Sequence, residues 1–286
     1  MSKYQSFYFL HIPKTGGRFI REHVLDPVCE ILKKNNVKIL EIPKGVDRHG
    51  GWHKDIDDNS YIFSIFRDPV ECVTSFYAHL IGMEVGYSTG IQIGDNSPDT
   101  NFLHLMEMGT ENTKNILKNT KLSKDEFLYW ITYSHYIYNY QSKNIILTCK
   151  ENEQMMDVSQ KYTMDLHDNN KKLDKDLLWE RLKRINLFLR QDMLLKMDYQ
   201  ILADKILSDF GIEEKFTVSK DIDMEYYVNY ASSNLHKRIK EEDLEVMSKY
   251  LKYDTEIYNT KELFWSTEWV LNLFTFYMFL ELAGSS

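Results

Sequence analysis

Two stretches of this chain place anion-binding residue types where a strand would hand over to a helix. In the first, His11-Ile12-Pro13-Lys14-Thr15-Gly16-Gly17 joins a short apolar run to a helical pattern. Main-chain N–H groups and the helix dipole at such a corner favour a bound phosphate. Gly16 and Gly17 let the backbone approach that anion closely, and Lys14 can set an ammonium beside a leaving oxygen. In the second, Arg67-Asp68-Pro69 ends another apolar run, and Ser75 follows eight positions after Arg67. A guanidinium at a strand end grips a phosphate through paired charge-assisted hydrogen bonds, and a hydroxyl two turns along the helix can reach back to it. A Walker A loop would carry its Lys after the second Gly. Here Lys14 precedes the glycines and no Gly-Lys pair occurs, which disfavours a nucleotide kinase or ATPase of that type.

The elements that must hold these corners follow from periodicity. Residues 7–12 and 61–66 are compact apolar runs, each closed by a proline-containing turn, and 37–42 is a third strand candidate. Residues 17–34 carry apolar side chains at helical spacing, with Pro27 as a bend or break. Pro69 suits the first turn of a helix bearing Val70, Val73, Phe76 and Tyr77. Residues 83–101, rich in Gly, Ser, Asn and Asp, read as a long loop. Helical patterns follow over 123–140, 175–183, 193–210, 240–258 and 261–282, with strand candidates at 145–149 and 185–189. Alternating strands and helices predict an α/β fold, one domain spanning 1–286 with a central, mainly parallel sheet flanked by helices and a helical C-terminal half. The two anion-binding motifs fall within 7–80, a further loop-and-helix side at about 83–140, and the helical C-terminal part at 174–283.

The bulk composition is that of a globular chain: 286 residues, 43% hydrophobic and 27% charged. Its 35 Lys and Arg against 43 Asp and Glu leave a net charge of -8, which argues against a nucleic-acid face and asks for a local basic pocket if an anion is bound. Cys29, Cys72 and Cys149 form no C-x-x-C pair, as expected of reduced thiols in a cytoplasmic compartment. The N-terminal residues lack a signal-peptide pattern. The apolar stretch 263–283 carries Glu268, Asn272 and Glu281, so a packed or homodimer-forming helix is expected there and not a membrane span.

Seven consecutive positions, His11 to Gly17, resemble the 5′-phosphosulfate loop of the sulfotransferases of the carbohydrate and bacterial types, which use 3′-phosphoadenosine-5′-phosphosulfate (PAPS). The run from Arg67 to Ser75 is similar to that family's 3′-phosphate motif. The resemblance implies a P-loop-like sulfotransferase fold, metal-independent transfer of a sulfuryl group from PAPS, and 3′,5′-bisphosphoadenosine (PAP) as product. It implies nucleotide contacts at Pro13, Lys14, Thr15, Gly16, Gly17, Arg67 and Ser75. Where the family commonly has small hydroxyl residues this chain has Arg18 and Phe19, carried as further contacts; Cys72 stands where the family often has Arg. Residues 185–194 look like the family's late strand ending in an acidic residue, and 229–237, with Ser232, Ser233, His236 and Lys237, resembles the polar and basic loop over the nucleotide.

Lys14 is the candidate for stabilising the leaving oxygen. Carbohydrate-type members place a catalytic His between the two motifs, which implies His49 as the base, with His53 second; the alternative is that both are loop residues. A zinc pair at that spacing is disfavoured by Gly50, Gly51 and the want of a third ligand. His135, among Trp130, Tyr133, Tyr136 and Tyr138, stands either in the core or in an acceptor cleft. The acidic net charge favours a neutral sugar or a small hydroxylated or cationic acceptor. A chain that binds PAP without catalysing transfer is the alternative from another class.

Overall fold

The computed structural model describes residues 3–40, 51–88, 122–133, 138–149, 173–194, 196–214, 216–219 and 230–265, with backbone alone at 18, 79–88, 133, 149, 230 and 231. It is α/β with a parallel sheet. β1 (Ser6–Leu10) runs into α1 (Gly17–Ile20), a π turn (Arg21–Leu25) and α2 (Asp26–Lys34), then β2 (Lys38–Ile39). After β3 (Trp52–His53) come β4 (Ser60–Phe66) and α3 (Pro69–Ser88). The order continues through α4 (Lys124–Tyr133), α5 (Tyr140–Ile146), β5 (Thr148–Cys149), α6 (Lys175–Arg184), β6 (Leu187–Arg190), α7 (Gln191–Leu194) and α8 (Tyr199–Asp209). It closes with α9 (Tyr230–His236), α10 (Glu241–Ser248), α11 (Lys252–Asn259) and a 3-10 turn (Lys261–Leu263).

Among the described residues, four strands form one sheet in the order β2-β1-β4-β6, every pair parallel, and β3 pairs with β5 in a second, two-stranded sheet. Helices cover both faces of the main sheet, so alternate side chains of each central strand are apolar on either side. Phe7, Tyr61, Phe63 and Ile65 point into a core closed by α1, the π turn, α2 and α8, through Phe19, Val24, Leu32 and Leu202. Tyr8, Leu10, Ile62 and Phe66 point to the other side, against Trp52, Ile145, Leu178 and Ile257. Burying each such side chain stabilises by about 1.5–3 kcal/mol. A third cluster joins α3 to α4, α9 and α10 through Tyr77, Phe127, Leu235 and Met247.

Several expected boundaries move. The helical run from Gly17 reaches Lys34 despite Pro27. The wide π turn lies just ahead of this proline, whose ring would otherwise clash with the carbonyl four residues back. Residues 83–88, expected in a loop, continue α3, while 89–101 lie outside the described residues. The helix expected over 123–140 stops and restarts: Asn139 adopts a left-handed φ of 47° before α5. That second helix takes Ile145 and Ile146, leaving a strand of only Thr148–Cys149. The long helical patterns at 193–210 and 240–258 are each broken in two. Residues 230–236, expected in a covering loop, form α9 against α3. No helix among the described residues is long and apolar enough to cross a membrane; positions 266–286 lie outside those residues.

Candidate functional site

From β1 the chain steps first to β2 on one side and later to β4 on the other, so the strand order reverses between β1 and β4. In open parallel sheets this switch point leaves a crevice beyond the strand C-termini, where ligands bind. Both motifs end there, because β1 and β4 are adjacent and aligned, with Leu10 opposite Ser64.

The first corner is a tightly wound loop. Lys14 has φ 68° and Gly16 φ 87°, left-handed values on either side of Thr15, a winding that curls main-chain N–H groups around an anion. Thr15 is fully buried and its Oγ1 donates to the Ile12 carbonyl at 2.8 Å, which closes the turn from within. A Cβ on Gly17 would stand 2.1 Å from the His11 ring, so no larger residue fits unless that ring moves. His11 is itself buried and stacked on Phe9 at 5.1 Å.

The second corner meets the first. Arg67 Nη1 donates to the Lys14 carbonyl at 3.1 Å, and Arg67 Nε donates to Glu71 Oε2 at 3.2 Å. Asp68 Oδ1 caps α3 by accepting from Val70 N and Glu71 N at 3.0 and 2.9 Å, a cap of about 1 kcal/mol. Ser75 is buried one turn beyond Glu71, close to the stripe that faces Arg67. His236 Nε2 approaches Glu71 Oε1 to 3.9 Å. Beneath both corners lies Cys72, whose thiol donates to the Pro13 carbonyl at 3.9 Å. Burial pushes that thiol up to about 12, against the opposing pull of Arg67 and Lys14, so it is neutral.

Other expected contacts fall elsewhere. The Phe19 ring is buried in the core against Tyr199 at 4.9 Å, so its side chain is removed from the crevice by the hydrophobic packing of α1. The Arg18 side chain lies outside the described residues, as do His49, His135 and Tyr136. His53 is buried on β3: its Nδ1 accepts from Asp55 N at 3.1 Å and its ring packs on Tyr8 at 5.7 Å. Tyr8 in turn donates to the Gly51 carbonyl, which anchors the chain two residues after His49.

Three contributors carried no sequence signal. Gln191, at the end of β6, comes within 3.2 Å of where a Gly16 Cβ would stand. Gln141 brackets the Arg67 backbone, and Asp254 holds the helix that bears Gln141. A cleft of about 770 Å3 opens where α4 begins, lined by Ser123, Lys124, Asp125, Lys237, Arg238 and Lys240, next in the chain to His236. Cations outnumber carboxylates in this lining, although Lys124 is engaged by Asp243 at 2.9 Å.

No family model, curated protein or solved structure matches this chain.

Proposed function

We propose that this chain is a PAPS-dependent sulfotransferase, one domain of the P-loop-like sulfotransferase fold, acting on a hydroxyl or amine of a sugar or small-molecule acceptor. The observation that carries this reading is the contact of Arg67 with the Lys14 carbonyl: the two motifs share one crevice at the switch point. A ligand phosphorylated at both ends of an adenosine would meet the wound loop with one end and the Arg67 and Ser75 corner with the other. The loop fits such a group: the left-handed φ values of Lys14 and Gly16 give the winding of a main-chain anion nest.

PAPS would supply a sulfuryl group linked through oxygen to the 5′-phosphate. Lys14 neutralises the charge left on that oxygen as the acceptor attacks sulfur from the opposite side, and the wound loop holds the phosphate in line. A sulfuryl group carries less charge than a phosphoryl group, so the step does not require a divalent metal. His49 takes the acceptor proton, a role suited to imidazole near neutral pH. His53, buried with Nδ1 already accepting, holds the β3 segment in place instead. The free thiols of Cys29 and Cys72 are in keeping with a reducing, cytoplasmic setting.

The test is labelled PAPS offered against sugars, phenols and amine metabolites, read by mass shift, with calorimetry of PAP. Transfer to an acceptor that is lost in both Lys14→Ala and His49→Ala supports the reading. PAP uptake without transfer to any acceptor would leave a nucleotide-binding protein, and no PAP uptake would remove the reading altogether.

A further inference from the structure

We propose that Gln141 is a positioning residue for Arg67 and sets the preference of this crevice for a ligand with a 3′-phosphate. The inference rests on the nucleotide reading above, but its warrant is a separate set of contacts. Gln141 is completely buried. Its Oε1 accepts from the Arg67 N–H at 2.9 Å, and its Nε2 donates to the Arg67 carbonyl at 2.9 Å. In extended backbone the N–H and C=O of one residue point the same way, so a single planar carboxamide can satisfy both. Arg67 needs such a partner, because it lies one residue beyond the end of β4, where β1 has already turned away into the loop. Gln141 continues the ladder for one residue and thereby fixes the direction in which the Arg67 side chain leaves the sheet.

The carboxamide is itself held from far along the chain. Asp254, buried on α11, accepts from Gln141 N at 3.1 Å and from Ser142 N at 2.8 Å, and also from the Ser142 hydroxyl. In return Asn139, just ahead of α5, accepts through Oδ1 from Tyr253 N at 2.7 Å and Asp254 N at 3.4 Å. Each helix thus caps the other's N-terminus, and the pair locks Gln141 against Arg67. Without the carboxamide, two buried main-chain groups lose their partners and the Arg67 peptide turns to find others. The guanidinium then loses its aim at the 3′-phosphate, while the 5′ loop is untouched.

The experiment is calorimetry on the full chain with PAP and with 5′-AMP, which lacks the 3′-phosphate. It compares wild type with Gln141→Met, similar in length but without donor or acceptor, and with Gln141→Glu. Folding is checked by circular dichroism. The preference for PAP over AMP should fall at least tenfold in Gln141→Met, with AMP affinity within about twofold of wild type, the range a lost hydrogen bond to a charged group implies. Gln141→Glu restores both bonds when its buried carboxyl is protonated, so its preference relative to wild type should recover on going from about pH 8 to about pH 5. That recovery stands as the test if Gln141→Met does not fold. A merely structural Gln141 would change both affinities alike, or neither, with no recovery at low pH, and any of these overturns the proposal. If wild type itself takes up PAP no better than AMP, the nucleotide reading falls first; if wild type discriminates and the variants do so equally, only the role of Gln141 falls.

Discussion

Where a Cβ would stand on Gly17, the His11 ring already stands. Gly17→Ala should therefore cost about 1–3 kcal/mol by overpacking, read as a lower urea midpoint. A Gly17→Ala, His11→Ala double variant should cost less than the sum of the two singles, because the second change vacates the space the first needs. Additive costs would show that the ring is not the obstacle. Arg67 is constrained differently, since its guanidinium is oriented by the Lys14 carbonyl and Glu71. Arg67→Ala should weaken PAP roughly 10- to 150-fold, as loss of charge-assisted bonds worth about 1.5–3 kcal/mol implies, and leave 5′-AMP nearly unaffected. With Lys14 acting on the departing oxygen as proposed, Lys14→Ala should instead lower turnover by roughly 100- to 1,000-fold, with a smaller change in PAP affinity.

At the scale of elements, the joint between α5 and α11 is electrostatically loaded. Asp254 is buried, and desolvation pushes its carboxyl up from 3.8 to about 6, with the donors of Ser142 and Gln141 pulling the other way. Between those values the folded chain holds a proton that the unfolded chain has released. Stability from this group is therefore greatest below about pH 4 and declines as pH rises to about 6, by about 3 kcal/mol at most. Urea unfolding at intervals across this window should show that decline in wild type and a flatter profile in Asp254→Asn. An unchanged slope in the variant would mean that another group is responsible. The same joint explains why a single helix over 123–140 was the wrong expectation. Apolar spacing continues past Tyr138, but Asn139 takes a left-handed conformation from which its side chain can cap α11.

At the scale of the whole molecule, one feature of topology brings the two motifs together: strand order reverses between β1 and β4. Ligand held across that gap ties the two halves of the sheet. PAP at a hundred times its dissociation constant should add about 2.7 kcal/mol to stability. That corresponds to a rise of roughly 4–5 °C in Tm for a chain of this size, and to about half of that or less in Arg67→Ala at the same PAP concentration. A melt indifferent to PAP in wild type would contradict a site spanning both corners. Charge behaves in the same distributed way: the chain carries -8 overall, yet the cleft at the start of α4 gathers Lys124, Lys237, Arg238 and Lys240.

Local sequence by itself determined the parts in which neighbouring residues decide the outcome. Apolar runs of five to seven residues became β1 and β4, Pro69 opened α3, and Gly16 supplied a left-handed residue to the loop between β1 and α1. Such features need only steric preference, period and nearby hydrogen bonds, all of which are written in adjacent positions. Tertiary structure alone decided which distant groups complete them. Phe19 goes to the core because α8 stands behind it, and 230–236 becomes a helix because α3 offers a face to pack on. Gln141 becomes the partner of Arg67 across 74 positions, and Asp254 the anchor of Gln141 across 113. A glutamine or an aspartate has the same local signature on a solvent-exposed surface as in a buried network. Burial and the unmet hydrogen bonds of a distant strand end separate the two, and neither exists until the chain has folded.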